Sequence, residues 1–363
     1  MTYMTNLDEE DRRLVGATVE RLAEQYFSID RCRSGNLVCG REEWAAFGEQ
    51  GLFAIGISPE YGGIGGGAAD LAMVMRQIGY NLLPLPYMDS IVLGATLVAT
   101  LGSEDLKRTL LPAIVAGELR LGFAHREANS GDIFDHVETS VRGGRLSGQK
   151  IHVMDGGMAA KLIVSARDEQ GVLGFYLLDR DQPGVAFQHY RLIDNRMASR
   201  VVLADAQGEA IGGEATPALA VLHDLAAICA AAETVGAIAG LNRDTLDYAK
   251  VRKQFGQPIG SFQVLQHRLV DMYIAEQMAA AMVADALKAF DDSVSDMSVR
   301  ISAAKAQADR SGRQVGESAI QIHGGMGMTD ECSAGHYLKR ILANGSQFGT
   351  AGWHVTRIAR HAL

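Results

Sequence analysis

Residues 252–263 read RKQFGQPIGSFQ, and residues 321–331 read QIHGGMGMTDE. Each is a glycine-bearing turn between long alanine-rich stretches whose apolar spacing is helical. Each also joins a flexible backbone to groups suited to a large ligand. Arg252 offers a planar guanidinium for phosphate, Phe255 a ring face, and Gln263 and Gln321 amides for hydrogen bonds. Gly324 and Gly325 let a backbone approach a ligand that any Cβ would push away.

The flanking pattern sets the architecture. Residues 218–241 are apolar nearly all round, which places that helix in a bundle core or a subunit interface. Thr216 followed by Pro217 predicts its start, with the threonine hydroxyl as cap, and it is expected to run to about Val251. Ser261 is placed to cap a second helix, whose Leu265, Leu269, Met272, Ala279, Val283 and Leu287 form one stripe. Further helices are expected over 299–320 and 333–342, giving a four-helix bundle across 216–363. Residues 1–120 read as an all-α unit, with Val15, Val19, Leu22 and Tyr26 on one stripe and Trp44, Phe47 and Leu52 on another. Between the two, residues 121–215 hold short alternating or β-branched runs, a middle antiparallel β-domain with a hairpin turn at Gly143 and Gly144.

Residues 57–67, ISPEYGGIGGG, loosely match a dinucleotide fingerprint through Gly63, Gly65 and Ala68. Pro59 breaks the strand that should lead into it and no βαβ unit follows, so the segment reads as a turn. Composition excludes other classes. The net charge is −9 with acids and bases interspersed, so there is no basic face for nucleic acid. The start, MTYMTNLDEEDRRLV, is not a signal peptide and no run of about eighteen apolar residues predicts a membrane span, so a cytoplasmic protein is expected. Cys32, Cys39, Cys229 and Cys332 lack metal-site spacing and read as reduced thiols.

The two turns, their order and the β-unit inserted between helical units closely resemble the acyl-CoA dehydrogenases. That resemblance implies a helical N-terminal domain, a middle β-barrel and a C-terminal four-helix bundle, with FAD as cofactor and an acyl-CoA thioester as substrate. It assigns Arg252 to the FAD pyrophosphate, Phe255 and Gln263 to the adenosine end, and the backbone around Gln321, Gly324 and Gly325 to the cofactor of a neighbouring subunit. Thr350, in FGTAG, matches a threonine that bonds the cofactor within the same subunit. In residues 149–157, QKIHVMDGG, the family places an indole and a threonine against the flavin, where this chain has His152 and Met154. Methionine cannot supply the threonine's hydrogen bond, so either a backbone group does so or the flavin is held differently. Gly94 and Ala95, in a helix that lines the family's acyl pocket, either leave room for a wide substrate or serve close packing.

The resemblance fails at one place. Most members carry a catalytic glutamate immediately before the Gly-Thr that is here Gly349-Thr350, and this chain has Phe348. The alternative family position falls on Ala226. Asp224, Glu233 and Asp244 are the nearby acids, with Asp224 the weak candidate for a base and Glu233 expected to be buried with a partner or a raised pKa. Three readings stay open. The first is a base-less subunit of a hetero-oligomeric dimer of dimers, similar to the small subunits of bacterial heteromeric members such as the pimeloyl-CoA dehydrogenase type, paired with a glutamate-bearing large subunit. The second is a homotetramer using Asp224, and the third an oxygen-using flavoenzyme on the same fold.

Overall fold

In a computed structural model, residues 7–27, 29–35, 37–131, 134–154 and 157–362 are described. The first residues of the amino-terminal segment, and Asp155 and Gly156 of the 149–157 stretch, lie outside them. The helices are α1 (Glu9–Tyr26), α2 (Ile29–Ser34), α3 (Arg41–Glu49), α4 (Ala68–Tyr80), α5 (Thr96–Leu101), α6 (Glu104–Val115), α7 (Ala215–Val251), α8 (Gln263–Asp291), α9 (Met297–His323), α10 (Ser333–Gly345) and α11 (Ala351–Ala362). The strands are β1 (Leu121–Ala124), β2 (Ser140–Arg142), β3 (Arg145–Met154), β4 (Lys161–Arg167), β5 (Leu173–Asp179), β6 (Val185–Arg191), β7 (Met197–Gln207), β8 (Glu209–Ala210), β9 (Lys253–Gln254) and β10 (Gln257–Pro258). The chain divides into two compact units. One comprises the residues up to Thr18, Leu37–Leu71 and Pro84–Ala226; the other holds Val19 to the loop before Leu37, Ala72–Leu83 and everything from Ala227 onward.

The first unit is built on an eight-stranded sheet of order β6-β7-β3-β2-β4-β5-β8, with β1 added alongside β4. Most pairings are antiparallel, but β1 and β2 each run parallel to β4. The expected hairpin forms as read: Arg142 faces Arg145, and Gly143 and Gly144 take φ of +54° and +77°, the pair of positive values a two-residue turn needs. Ala124, Val141, Leu146, Val153, Leu162, Val164, Val201 and Leu203 interlock beneath the sheet. Met88–Ala95 winds as a wide π-helical stretch, and a Cβ on Gly94 would stand 2.9 Å from the Asp89 carbonyl oxygen and 3.0 Å from Leu121. Gly94 therefore serves close packing against β1, and Ala95 is buried as well, so these two do not widen a pocket. The 57–67 segment is a turn: a Cβ on Gly63 would lie 2.0 Å from the Ile57 carbonyl oxygen, which accounts for that glycine without a ligand.

In the second unit α9 packs against α8, α10 and α11, so α11 adds a fifth helix to the four expected. Gly312 and Gly316 let α10 approach: added Cβ atoms would lie 2.5 Å from Ile341 and 2.5 Å from Leu338. Lys305 is fully buried and donates to both oxygens of Asp309 (2.9 and 2.7 Å) and to the Asn344 carbonyl (3.3 Å). α7 is long and apolar enough to span a membrane by composition, yet 83% of its apolar window is buried in the protein, as a core helix requires. It begins at Ala215, so Thr216 and Pro217 sit inside its first turn rather than capping it. Proline is tolerated there because those amides have no helical partner. Ser261 also does not cap: its hydroxyl donates back to the Pro258 carbonyl at 2.6 Å and α8 starts at Gln263, after a short 3₁₀ turn.

The tightest helix crossing in this unit lies between α4 and α7. A Cβ on Gly79 would fall 1.9 Å from the Glu233 carbonyl oxygen, and one on Gly236 would fall 1.8 Å from that of Arg76. Both helices would have to separate. Gly236→Ala is expected to destabilise by at least the ~1–3 kcal/mol typical of overpacking, seen as a lowered midpoint in urea unfolding. An unchanged midpoint would show that the crossing gives way freely.

Candidate functional site

In the second unit, α7 ends in a tight turn that sequence alone located. Arg252 N–H closes on the Tyr248 carbonyl (2.9 Å), and the Arg252 carbonyl accepts from Ile259 (2.8 Å). Gln254 pairs with Gln257 across Phe255 and Gly256, whose φ values are +52° and +82°. Phe255 is thus held at the tip of a hairpin, in a backbone conformation unfavourable for an aromatic residue, with 93% of its surface exposed. Its only ring neighbour among the described residues is Phe262, edge-on at 6.1 Å. The Arg252 guanidinium forms no ion pair and the Gln263 amide no hydrogen bond among the described residues, and both are exposed.

The second turn leaves from the same end of the bundle. The Tyr248 ring lies on the His323 ring at 4.3 Å, joining the last turns of α7 and α9. Gly324 has φ +61°, which favours glycine, and an added Cβ on either Gly324 or Gly325 would meet nothing within 4 Å. Gln321 is exposed, with no hydrogen-bond partner among the described residues. An exposed guanidinium, an exposed ring, amides without a partner among the described residues and open glycine backbone therefore lie at one end of one unit, groups of the kinds that suit a dinucleotide.

Around Phe348 the backbone is fixed. Phe348 has φ +54° and Gly349 φ +94°, and a Cβ on Gly349 would collide with Trp353 and His354. The Phe348 carbonyl accepts from His354 Nε2 (3.0 Å), and Thr350 Oγ1 accepts the Trp353 amide (3.3 Å), capping α11. The acids near the expected base separate clearly. Glu233 is buried against Arg340 (3.1 Å), whose guanidinium also reaches the Leu82 and Leu83 carbonyls. Asp244 accepts from Ser333 (2.7 Å) and pairs with Arg243 (2.8 Å). Asp224, in the first unit, is 2% exposed, with His223 Nδ1 3.7 Å away. Ala226 is fully buried.

The first unit also holds a cluster that the sequence reading missed. Lys150, fully buried in β3, donates to Glu127 Oε1 (2.6 Å), Ser165 Oγ (2.9 Å) and the His125 carbonyl (3.2 Å). Glu127 is satisfied further by the Thr139 hydroxyl (2.7 Å) and the amides of Thr139 (3.0 Å) and Glu138 (2.7 Å). Burial opposes the charge on Glu127, but Lys150 and these donors outweigh it and hold the carboxyl below its usual range. Burial pushes Lys150 down to about 8, with Glu127 resisting. His125, brought to about 3 by burial and by Lys150, is neutral and bridges Ser165 Oγ (2.9 Å) and the Phe134 carbonyl (2.5 Å). The signal available in the sequence was a lysine in period-two phase with the inward-facing Leu146 of an alternating strand.

His152 and Met154 sit just beyond Lys150 on β3. The Met154 amide is taken by Asp89 Oδ2 (3.1 Å), so it is not the backbone group that replaces the missing threonine hydroxyl. His152 Nε2 is buried with no hydrogen-bond partner among the described residues. Buried polar groups are as a rule hydrogen-bonded, so this nitrogen stands out.

Comparison with known proteins agrees with this fold. Residues 9–118 match the family model "Acyl-CoA dehydrogenase, N-terminal domain", and residues 222–363 match "Acyl-CoA dehydrogenase, C-terminal domain". The chain is 30% identical over 344 residues to acyl-CoA dehydrogenase IpdE2 of Mycolicibacterium smegmatis, covering 94% of this chain and 95% of the relative. It is 28% identical over 356 residues to acyl-CoA dehydrogenase FadE12 of Mycobacterium tuberculosis, covering 91% and 90%. Among solved structures, a variant of the Tcur3481-Tcur3483 steroid ACAD superposes with TM-score 0.87 at 27% identity over 97% of both chains. PigA, solved with FAD and proline, superposes with TM-score 0.88 at 25% identity over 99% of both. The chain belongs to the acyl-CoA dehydrogenase family, oxidoreductases that act on CH–CH donors.

Two substitutions separate fold from site. Lys150→Met strands the Glu127 carboxylate and is expected to destabilise by about 3–5 kcal/mol, the usual result of removing one partner of a buried pair, read as a fall in Tm. Gly325→Ala meets no protein atom and is expected to leave Tm unchanged while weakening FAD binding, followed by flavin fluorescence; equal FAD affinity would remove that turn from the site.

Proposed function

We propose that this chain binds FAD and takes part in the α,β-desaturation of an acyl-CoA thioester as the base-less subunit of a heteromeric acyl-CoA dehydrogenase. The observation that carries the reading is Phe348, an apolar ring at the position where the family keeps its glutamate, directly before Gly349-Thr350. Arg252 would hold the pyrophosphate, Phe255 and Gln263 the adenosine end, and Gln321 with Gly324 and Gly325 a neighbouring subunit's cofactor, while Thr350 and His152 contribute nearer the flavin. When bound, FAD supplies the acceptor for the hydrogen and electron pair that leave the β-carbon. The α-proton needs a positioned carboxylate, which typically contributes about 10²–10⁴-fold. Glu233 and Asp244 are engaged in ion pairs, so neither is available for that task.

A partner is supported by the surface of α8. Val270, Tyr273, Ile274 and Met278 are each roughly half-exposed and share one helical face. A stripe of this kind suits contact with another chain, and Phe255 and Met328 extend the exposed apolar set in the same unit. One relative bears a paired name, Tcur3481-Tcur3483, and the word steroid. Wide, polycyclic acyl groups therefore belong among the substrates to be tried.

A second reading rests on Asp224, a buried carboxylate beside His223. It makes the chain a complete homotetrameric enzyme with its own base. The two readings separate in an anaerobic titration of the FAD-loaded chain with a panel of acyl-CoA thioesters. The half-site reading expects the oxidised flavin band to persist with every thioester, and bleaching would contradict it. Bleaching that Asp224→Asn abolishes while FAD stays bound would establish the second reading. Phe348→Glu tests the same point by gain: a restored carboxylate is expected to accelerate bleaching at least about tenfold.

A further inference from the structure

The strand that carries His152 breaks its ladder at that residue. Lys150 faces Val201 and Val153 faces Ser199, so Ile151 and His152 together oppose Arg200 alone, a β-bulge. His152 takes φ +58°, a conformation unfavourable for a non-glycine residue that persists only where its surroundings over-determine it. Those surroundings can be named. The Ile151 amide donates to the Arg126 carbonyl (2.8 Å), the His152 amide to Tyr190 Oη on β6 (3.0 Å), and the Met154 amide to Asp89 Oδ2 on the Met88–Ala95 π-helical stretch (3.1 Å). At the root of the bulge Lys150 is locked by Glu127 and Ser165. Three separate segments thus hold the backbone of one short stretch, and what it displays is a buried Nε2 that no described protein group satisfies.

We propose that this bulge is a locked platform that presents His152 Nε2–H as a hydrogen-bond donor to the flavin ring, with Tyr190 and Asp89 as its positioning residues. The inference rests on the FAD reading above and goes beyond it by assigning the donor. With the Met154 amide bound to Asp89 and the Met154 side chain no donor, His152 is the polar group this stretch of β3 offers. Burial, with Arg126 and Arg196 nearby and Asp194 opposing them, lowers the imidazole to about 4. The ring is therefore neutral and carries one N–H. A π-helical turn supplying Asp89 fits the frequent use of such turns at functional sites.

The test compares the FAD-loaded wild type with His152→Phe, His152→Gln and Tyr190→Phe, measuring FAD stoichiometry, the visible flavin spectrum and the flavin midpoint potential. A donor to the ring stabilises the electron-rich reduced form more than the oxidised form. His152→Phe is expected to keep FAD but to favour its oxidised form about tenfold more than the wild type does, a drop of about 30 mV for a two-electron couple. His152→Gln, which keeps an N–H, should recover most of the shift. Tyr190→Phe keeps His152 but loses the acceptor for its amide, and should shift the potential in the same direction by less. A His152→Phe holoprotein with wild-type spectrum and potential would overturn the proposal, as would a shift that His152→Gln does not recover. A folded wild type that takes up no FAD even as a dimer or larger assembly would overturn the FAD reading itself, and this assignment with it.

Discussion

Taking a charged side chain out of water is tolerable only when a partner meets it in good geometry, and this constraint organises both units of the chain. Lys150 and Glu127 do so in the sheet, Lys305 and Asp309 on α9, and Arg340 and Glu233 between α10 and α7. Such pairs add little net stability over apolar packing, but they tolerate few arrangements. Lys150 sits where Glu127 and Ser165 can reach it, and directly after it β3 leaves its register at the His152 bulge. Arg340 also reaches the Leu82 and Leu83 carbonyls, in the unit where Gly79 and Gly236 let α4 and α7 touch.

The same constraint bears on catalysis. A general base must be a carboxylate whose charge is available to a substrate proton, and Glu233 and Asp244 are held by guanidinium groups. Phe348, at the position where the family resemblance expects a glutamate, lies on a turn whose positive φ values and His354 contact give it a defined place. On the proposed reading, a partner chain would supply the acid that this turn lacks. Exposed Phe255 and the apolar face of α8 support the same reading, as surfaces suited to an interface.

Much of this was legible in the sequence because it depended on local rules. Helical spacing, the Gly143-Gly144 hairpin and the two glycine turns of the bundle each follow from a few neighbouring residues. Helix starts were less legible: Ser261 and Thr216 are good capping residues by type, but a 3₁₀ turn and an earlier start moved the helix ends past them. Gly94 illustrates a second limit, since only the structure shows Leu121 and the Asp89 carbonyl occupying the space its missing side chain leaves. The Lys150 cluster was not legible at all. Its members come from residues 125–127, 139, 150 and 165, and nothing in one sequence says that they meet. For His152 the residue was singled out, while the bulge, the orphaned Nε2 and the capture of the Met154 amide became visible only in three dimensions.

The central claim is that this chain carries a share of an FAD site that a second chain must complete. Native mass spectrometry of the purified protein with added FAD tests it most directly, because it reads cofactor and subunit count in one spectrum. The account predicts that FAD appears only on dimers or larger assemblies and that the monomer peak carries none. A monomer retaining one FAD would contradict it, and would make the Arg252 and Gln321 turns parts of a site that one chain completes alone.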